Sequence, residues 1–192
     1  MSRLLTLVGV AAFALGVVLV ARPQAAPAPV VPITPVPSAS SARAASASPS
    51  ATPVAFPAIP DGYRVTIARL GIDLPIQEGD VERDAVEQRT PEGSAFHLPG
   101  TGIPGSGVNC YIYAHARTGM FLSLWNVRAG DDVIITRPDG VELHYIVSEV
   151  HPRVPYDDVS WAAPTTPEHL TLQTSTGPNP GDPRFVVIAR PA

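Results

Sequence analysis

The stretch DDVIITRPDGVELHYIVSEV, Asp131 to Val150, holds two alternating runs rich in β-branched residues on either side of Pro138-Asp139-Gly140. Period-two alternation marks strands with one face on a core. Between such runs Pro fixes φ, Asp bonds its own backbone and Gly accepts a positive φ, so the trio is turn chemistry. No other part of the chain signals a hairpin as strongly. Working outward, YRVTIARLGI (Tyr63 to Ile72) and VNCYIYAHA (Val108 to Ala116) read as strands. HLTLQTS (His169 to Ser175) and RFVVIAR (Arg184 to Arg190) give two more. GMFLSLWNV, from Gly119, predicts a short amphipathic helical turn, and a second is expected around Val81 to Gln88. Short strands with turn signals between them, over residues 59–192, predict an all-β closed or nearly closed barrel rather than an alternating α/β fold.

Ahead of that domain the composition changes twice. Leu4 to Ala21 is apolar, interrupted only by Thr6, Gly9 and Gly16, and follows Arg3. As a helix it would be ~27 Å long, close to a bilayer's hydrocarbon thickness. The charge before it favours an inside N-terminus and export of the rest of the chain. A cleavable signal peptide is the competing reading, but Ala26-Pro27-Ala28 followed by Pro29 is a poor cleavage site, so residues 1–21 are expected to be an uncleaved transmembrane signal-anchor. Residues 22–58 are mostly Pro, Ala, Ser and Val and carry only Arg22 and Arg43 as charges. Such a segment has too little bulky apolar surface to offset the entropy of ordering, and is expected to be a disordered linker. Stretched as polyproline, it spans up to ~100 Å. The domain is thus expected on the extracytoplasmic face of a cell membrane, held by a single pass.

Charge excludes some partners. Formal net charge is −4, and all 13 basic residues are arginine. No basic run is long enough to neutralise a row of phosphates, so nucleic acid is not an expected partner. Without lysine, no side-chain amine can enter an isopeptide bond. The single cysteine, Cys110, excludes an internal disulfide framework. The histidines at 97, 144, 151 and 169 lack metal-ligand spacing, so neither metal nor cofactor is expected.

Three separated motifs carry a resemblance. HLPGTGIPGSGVNCYIYAHARTGMFLSLWNVRAGDDVIITRPDG, His97 to Gly140, resembles the central part of a sortase, a cell-wall transpeptidase, of the class D/E/F-like kind. There a Pro/Gly-rich loop leads into the strand that delivers the active-site histidine, and His115 falls at that position. VPYDDVSWAAPTTPEHLTLQTS, Val154 to Ser175, is similar to the lead-in to the family's Thr-Leu-x-Thr-Cys signature, with Thr171, Leu172, Gln173, Thr174 and Ser175 in its places. Arg184 matches the family's essential arginine. The resemblance runs from about Tyr63 to the C-terminus. It implies a sortase-type closed β-barrel of about eight strands with one or two short helices. It also implies catalytic roles for His115, Ser175 and Arg184, a substrate-binding role for Thr174, and an exported peptide or protein sorting signal as partner. Ala114 stands where glycine usually precedes the histidine, a modest departure. Ser175 stands where the family has its nucleophilic cysteine, which is a larger one.

That second departure changes the chemistry. A thiol of pKa ~8.5 becomes a thiolate beside a cation, and the thiolate attacks. A serine hydroxyl ionises far above neutrality and must lose its proton to a base within about 2.6–3.2 Å during attack. No acid is placed by sequence to orient His115. Two readings therefore stand: an impaired transpeptidase or hydrolase working through an acyl-enzyme, or an inactive sortase-fold pseudoenzyme that binds peptide.

Each residue also has a plainer role. A strand histidine is often structural, Arg184 could end a surface loop, and Ser175 could cap a turn before Gly-Pro. Arg190, at an even offset from Arg184 on the same strand, is the substitute arginine. Cys110, at an odd offset from His115, points to the opposite face and reads as a buried small hydrophobe. LPGTG, Leu98 to Gly102, fits the Leu-Pro-x-Thr-Gly sorting signal of sortase substrates. About ninety residues of domain sequence come after it, however, so it reads as a turn feeding the next strand.

Overall fold

The computed structural model describes residues 56–86 and 90–192. The expected anchor (1–21) and all but the last three residues of the expected linker (22–58) lie outside the described residues. Among the described residues no helix is long and apolar enough to cross a membrane.

Among the described residues eight strands form: β1 (Arg64–Ile67), β2 (Ile72–Glu78), β3 (Ala95–His97), β4 (Cys110–Tyr113), β5 (Asp132–Thr136), β6 (Glu142–Val154), β7 (Leu170–Ser175) and β8 (Arg184–Pro191). They close into a barrel in the order β1-β2-β3-β4-β7-β8-β6-β5, with β5 returning to β1. Closure leaves no unpaired sheet edge. The expected all-β barrel is what the chain adopts.

The 131–150 stretch is the β5–β6 hairpin, with Ile134 opposite His144 and Thr136 opposite Glu142. Gly140 takes φ 81° at its turn. β6 runs on beyond the expected end to Val154, and its register against β8 shifts between His151 and Val154. Pro152 lies in that irregularity, where a missing ladder N–H is tolerated.

Tyr63 to Ile72 is not one strand. β1 ends at Ile67, a helical turn spans Ala68–Leu70, and Gly71 at φ 65° reverses the chain into β2. Arg64 then pairs with Pro75 and Ile67 with Ile72. Val108 to Ala116 is also shorter than expected, its ladder being confined to Cys110–Tyr113. The other helical elements among the described residues are short turns, at Glu82–Val86, Phe121–Asn126 and Val159–Ala162.

The core follows the alternation. Val65, Ile67, Ile72, Ile112, Leu172 and Val187 are essentially inaccessible. Phe121 and Leu124 of the Phe121–Asn126 turn are buried as well, capping the barrel interior. Each such side chain contributes about 1.5–3 kcal/mol through removal from water.

Two of the pairings are parallel, β2 with β3 and β4 with β7. The second one builds the site. Cys110 pairs with Leu170 and Tyr113 with Gln173, so β4 and β7 end at the same rim of the barrel. The chain just past β4 therefore meets the end of β7, and β8 begins beside it.

Candidate active-site groove

At that rim lies a groove of about 1050 Å³ whose walls include His115, Ser175, Arg184, Tyr111, Gln173 and Trp125. The β4–β7 contact continues one residue past the ladder, with the Ala114 amide donating to the Gln173 carbonyl at 3.2 Å. This brings His115 to the rim.

Ser175 and Arg184 face each other in the antiparallel β7–β8 register. The Arg184 guanidinium donates through NH1 to Ser175 Oγ at 3.0 Å and to the Asp182 carbonyl at 3.2 Å. NH2 donates to the Pro180 carbonyl at 2.9 Å. The loop between the strands is therefore built around the guanidinium. The loop is also held internally, with the Thr176 amide and hydroxyl both on the Pro183 carbonyl. At Gly177 a Cβ would lie 2.4 Å from an Asp182 carboxylate oxygen, so a larger residue there would push that side chain aside. Trp125 fixes the other side of Ser175, its indole donating to the Ser175 carbonyl at 3.2 Å.

His115 is tied elsewhere. Its Nε2 donates to the Thr90 carbonyl at 2.8 Å. A carbonyl only accepts, so that nitrogen carries a proton and Nδ1 is the ring nitrogen left for acid–base work. Among the described residues no hydrogen bond joins the imidazole to Ser175, and the two share the groove across a gap. The His115 carbonyl accepts from the Arg117 and Phe121 amides at 2.9 and 3.0 Å, which fixes the backbone under the ring.

Thr174 is placed differently from the substrate-binding role expected of it. It is fully buried, and its hydroxyl donates to the Ala114 carbonyl at 2.8 Å. It faces the barrel interior because its side chain points opposite to those of Gln173 and Ser175. It touches the backbone that carries His115 and does not line the groove.

Two other residues weighed from sequence are also elsewhere. Arg190 pairs with Glu149 at 3.1 Å on the exposed surface and is not a groove residue. Sharing a face with Arg184 is not enough, because six residues of strand separate the two by ~20 Å. Cys110 is buried, and burial holds its thiol well above the ordinary cysteine range.

The LPGTG stretch is a folded turn. Thr101 is 2% exposed, and its hydroxyl donates to the Leu98 carbonyl at 2.8 Å while accepting the Tyr111 amide at 3.2 Å. Beside it the buried His97 donates through Nδ1 to Glu78 Oε2 at 2.7 Å, and the same oxygen accepts the Ile59 amide at 2.8 Å.

Some groove features have no short-range sequence signal. Thr90 meets His115 across 25 positions, and Trp125 meets Ser175 across 50. Asp84, another groove residue, accepts from the Tyr113 hydroxyl and from Arg83 Nε at 2.6 Å. Burial pushes the Asp84 carboxyl upward, but these donors outweigh it and hold the group below the ordinary aspartate range. The Tyr113 phenol is raised, by burial first and by Asp84 second.

A closed barrel with a parallel β4–β7 pairing, a rim histidine, and an arginine facing the end of β7 defines a sortase-type domain. The family model for the sortase domain matches residues 65–192, and the chain belongs to that family. Among solved structures, a lid mutant of sortase A from Corynebacterium diphtheriae is 27% identical with a TM-score of 0.58, over 71% of this chain and 70% of that one. Sortase C1 of GBS pilus island 1 is 25% identical with a TM-score of 0.57, over 68% of this chain and 63% of that one. Sortase C-1 from Actinomyces oris, 22% identical with a TM-score of 0.57 over 68% of this chain and 73% of that one, shares the fold. No curated protein matches the chain.

Proposed function

We propose that the chain is a membrane-anchored, extracytoplasmic sortase-like protein that acts on exported peptide segments through an acyl-enzyme on Ser175. The observation that carries this reading is the Arg184–Ser175 contact of 3.0 Å in a groove shared with His115. The export and anchoring rest on the apolar run at residues 4–21.

In this mechanism Ser175 Oγ attacks the scissile carbonyl carbon while its proton passes to His115 Nδ1. Arg184 donates to the oxyanion, a task suited to a guanidinium already held by two loop carbonyls. His115 returns the proton to the leaving amine as the C–N bond breaks. An incoming amine or water then attacks the ester, giving up its proton to His115, and the ester C–O bond breaks as His115 passes that proton to Ser175 Oγ. The reaction is slow because His115 must cross the gap to the hydroxyl, whereas a thiolate would need no such transfer.

A second reading, peptide binding without cleavage, is favoured by the Thr90 carbonyl, which holds His115 away from Ser175. One experiment separates the two. The full chain in detergent, its Ser175→Cys variant and its Ser175→Ala variant are incubated with sorting-signal peptides, with and without an amine acceptor. A peptidyl ester seen by mass spectrometry on the wild type but not on Ser175→Ala supports catalysis. Turnover by the cysteine variant alone supports the binding reading. Absence of peptide binding to all three overturns both.

A further inference from the structure

We propose that the groove takes a proline-rich, uncharged segment of an exported protein in the polyproline II conformation. This rests on the reading of the groove as a peptide site and names the kind of peptide. The chain has two tryptophans and five tyrosines. Both tryptophans, Trp125 and Trp161, and three of the tyrosines, Tyr111, Tyr113 and Tyr156, line this one groove. Trp125 is 42% exposed, Tyr156 58% and the neighbouring Val159 80%, although large apolar side chains are costly to leave in water. Aromatic side chains along a groove suit pyrrolidine rings, and a polyproline helix reaches them with little further loss of chain entropy.

Charge points the same way. Asp84 is held by Arg83 and Tyr113, Arg117 by Glu92, and Asp158 by Ser160 and Trp161. Arg184 is held by Ser175 and two carbonyls. The groove is lined by two acids, Asp84 and Asp158, and two arginines, Arg117 and Arg184, so these side chains sum to no net charge for a charged ligand to answer, and Arg184, bonded only to neutral groups, keeps its charge for the oxyanion.

Proline-rich backbone presents carbonyl acceptors and few N–H donors, so its site must donate. Tyrosine hydroxyls do this. Burial pushes the Tyr111 phenol up to about 12, against a smaller downward pull from Arg184, so it stays protonated and able to donate at neutral pH. Tyr156 offers a second hydroxyl at the rim.

Because both tryptophans stand on the groove wall, all the indole emission of the protein reports on its occupancy. The full chain in detergent is titrated with a proline decapeptide, a Gly/Ser decapeptide and a Leu-Pro-x-Thr-Gly peptide. Calorimetry is then repeated on the Trp125→Ala and Tyr156→Ala variants, with circular dichroism to check their folds. The proline decapeptide is expected to shift the emission saturably and the Gly/Ser peptide to leave it unchanged. Each variant is expected to bind the proline peptide at least about tenfold more weakly. Tyr156 is exposed enough that its loss leaves folding intact. Equal binding of the Gly/Ser peptide, or undiminished affinity in both variants, overturns the inference. Binding of the Leu-Pro-x-Thr-Gly peptide alone overturns it while the peptide-site reading survives, and binding of none of the three overturns both.

Discussion

Ser175 and Arg184 are register partners at the end of the β7–β8 pair, and the guanidinium donates to the hydroxyl oxygen at 3.0 Å. The same guanidinium holds the Asp182 and Pro180 carbonyls of the intervening loop. One side chain therefore shapes the loop and presents charge to the Ser175 oxygen.

For Arg184 the expected cost of substitution comes from that double duty. Arg184→Ala should slow peptidyl-ester formation about 10²–10³-fold, the range for loss of an oxyanion donor. Arg184→Lys should recover little, since an ammonium cannot reach three acceptors in a fixed fork. Single-turnover trapping with mass spectrometry gives both rates. A lysine variant as fast as the wild type would contradict the assigned geometry.

Thr174 has a structural consequence instead. Thr174→Val keeps the shape but removes the donor to the buried Ala114 carbonyl. Leaving a buried acceptor unpaired costs about 1–3 kcal/mol, which should appear as a lower urea midpoint with an unchanged m-value. An unchanged midpoint would mean that the hydroxyl does not hold that carbonyl.

Cys110 should be silent towards thiol reagents. Burial both shields it and keeps the thiol protonated. Under native conditions the wild type should take up no iodoacetamide, while Ser175→Cys should take up one equivalent. Both chains should gain one more equivalent in denaturant. Rapid native labelling of the wild type would reopen Cys110 as a nucleophile.

Acid sensitivity has a definite sign at Asp131. Hydrogen bonds from Arg69, including Nε at 2.6 Å, outweigh burial and hold its pKa below the ordinary 3.8. A depressed native pKa adds stability that is fully present above the ordinary value and disappears as pH falls through the lowered one. The urea midpoint of Asp131→Asn should therefore fall less than that of the wild type between about pH 5 and pH 3. The slope should be reduced rather than abolished, because Asp84, Glu149 and Asp158 are also held low. Parallel pH curves for the two proteins would contradict this.

Sequence reading reached the barrel because β5 and the first half of β6 alternate around a turn, and turn residues bound the β-rich runs of β7 and β8. It missed β2, in which Pro75 breaks the strand pattern, and β3, only three residues long. It also carried β1 through the Ala68–Leu70 turn as far as Ile72, the first residue of β2, because the apolar pattern continues there and only Gly71 marks the reversal. The convergence of His115, Ser175 and Arg184 was legible through a motif resemblance, not through local chemistry. Thr174 is the instructive case. Alternation from Leu172 already sends it inward, against the role that the resemblance implied. The Thr90 carbonyl on His115 was not legible, since a backbone group leaves no residue-type signal.

The Leu98–Gly102 turn bears on how copies of this protein coexist. Every copy carries, at Leu98–Gly102, a match to the Leu-Pro-x-Thr-Gly pattern of sortase substrates. Thr101 is sealed beneath its neighbours, so the scissile position is out of reach while the turn stays folded. Were the proposed activity to extend to Leu-Pro-x-Thr-Gly segments, folding would shield each copy from the others, and a copy loosened at this turn would lose that shield.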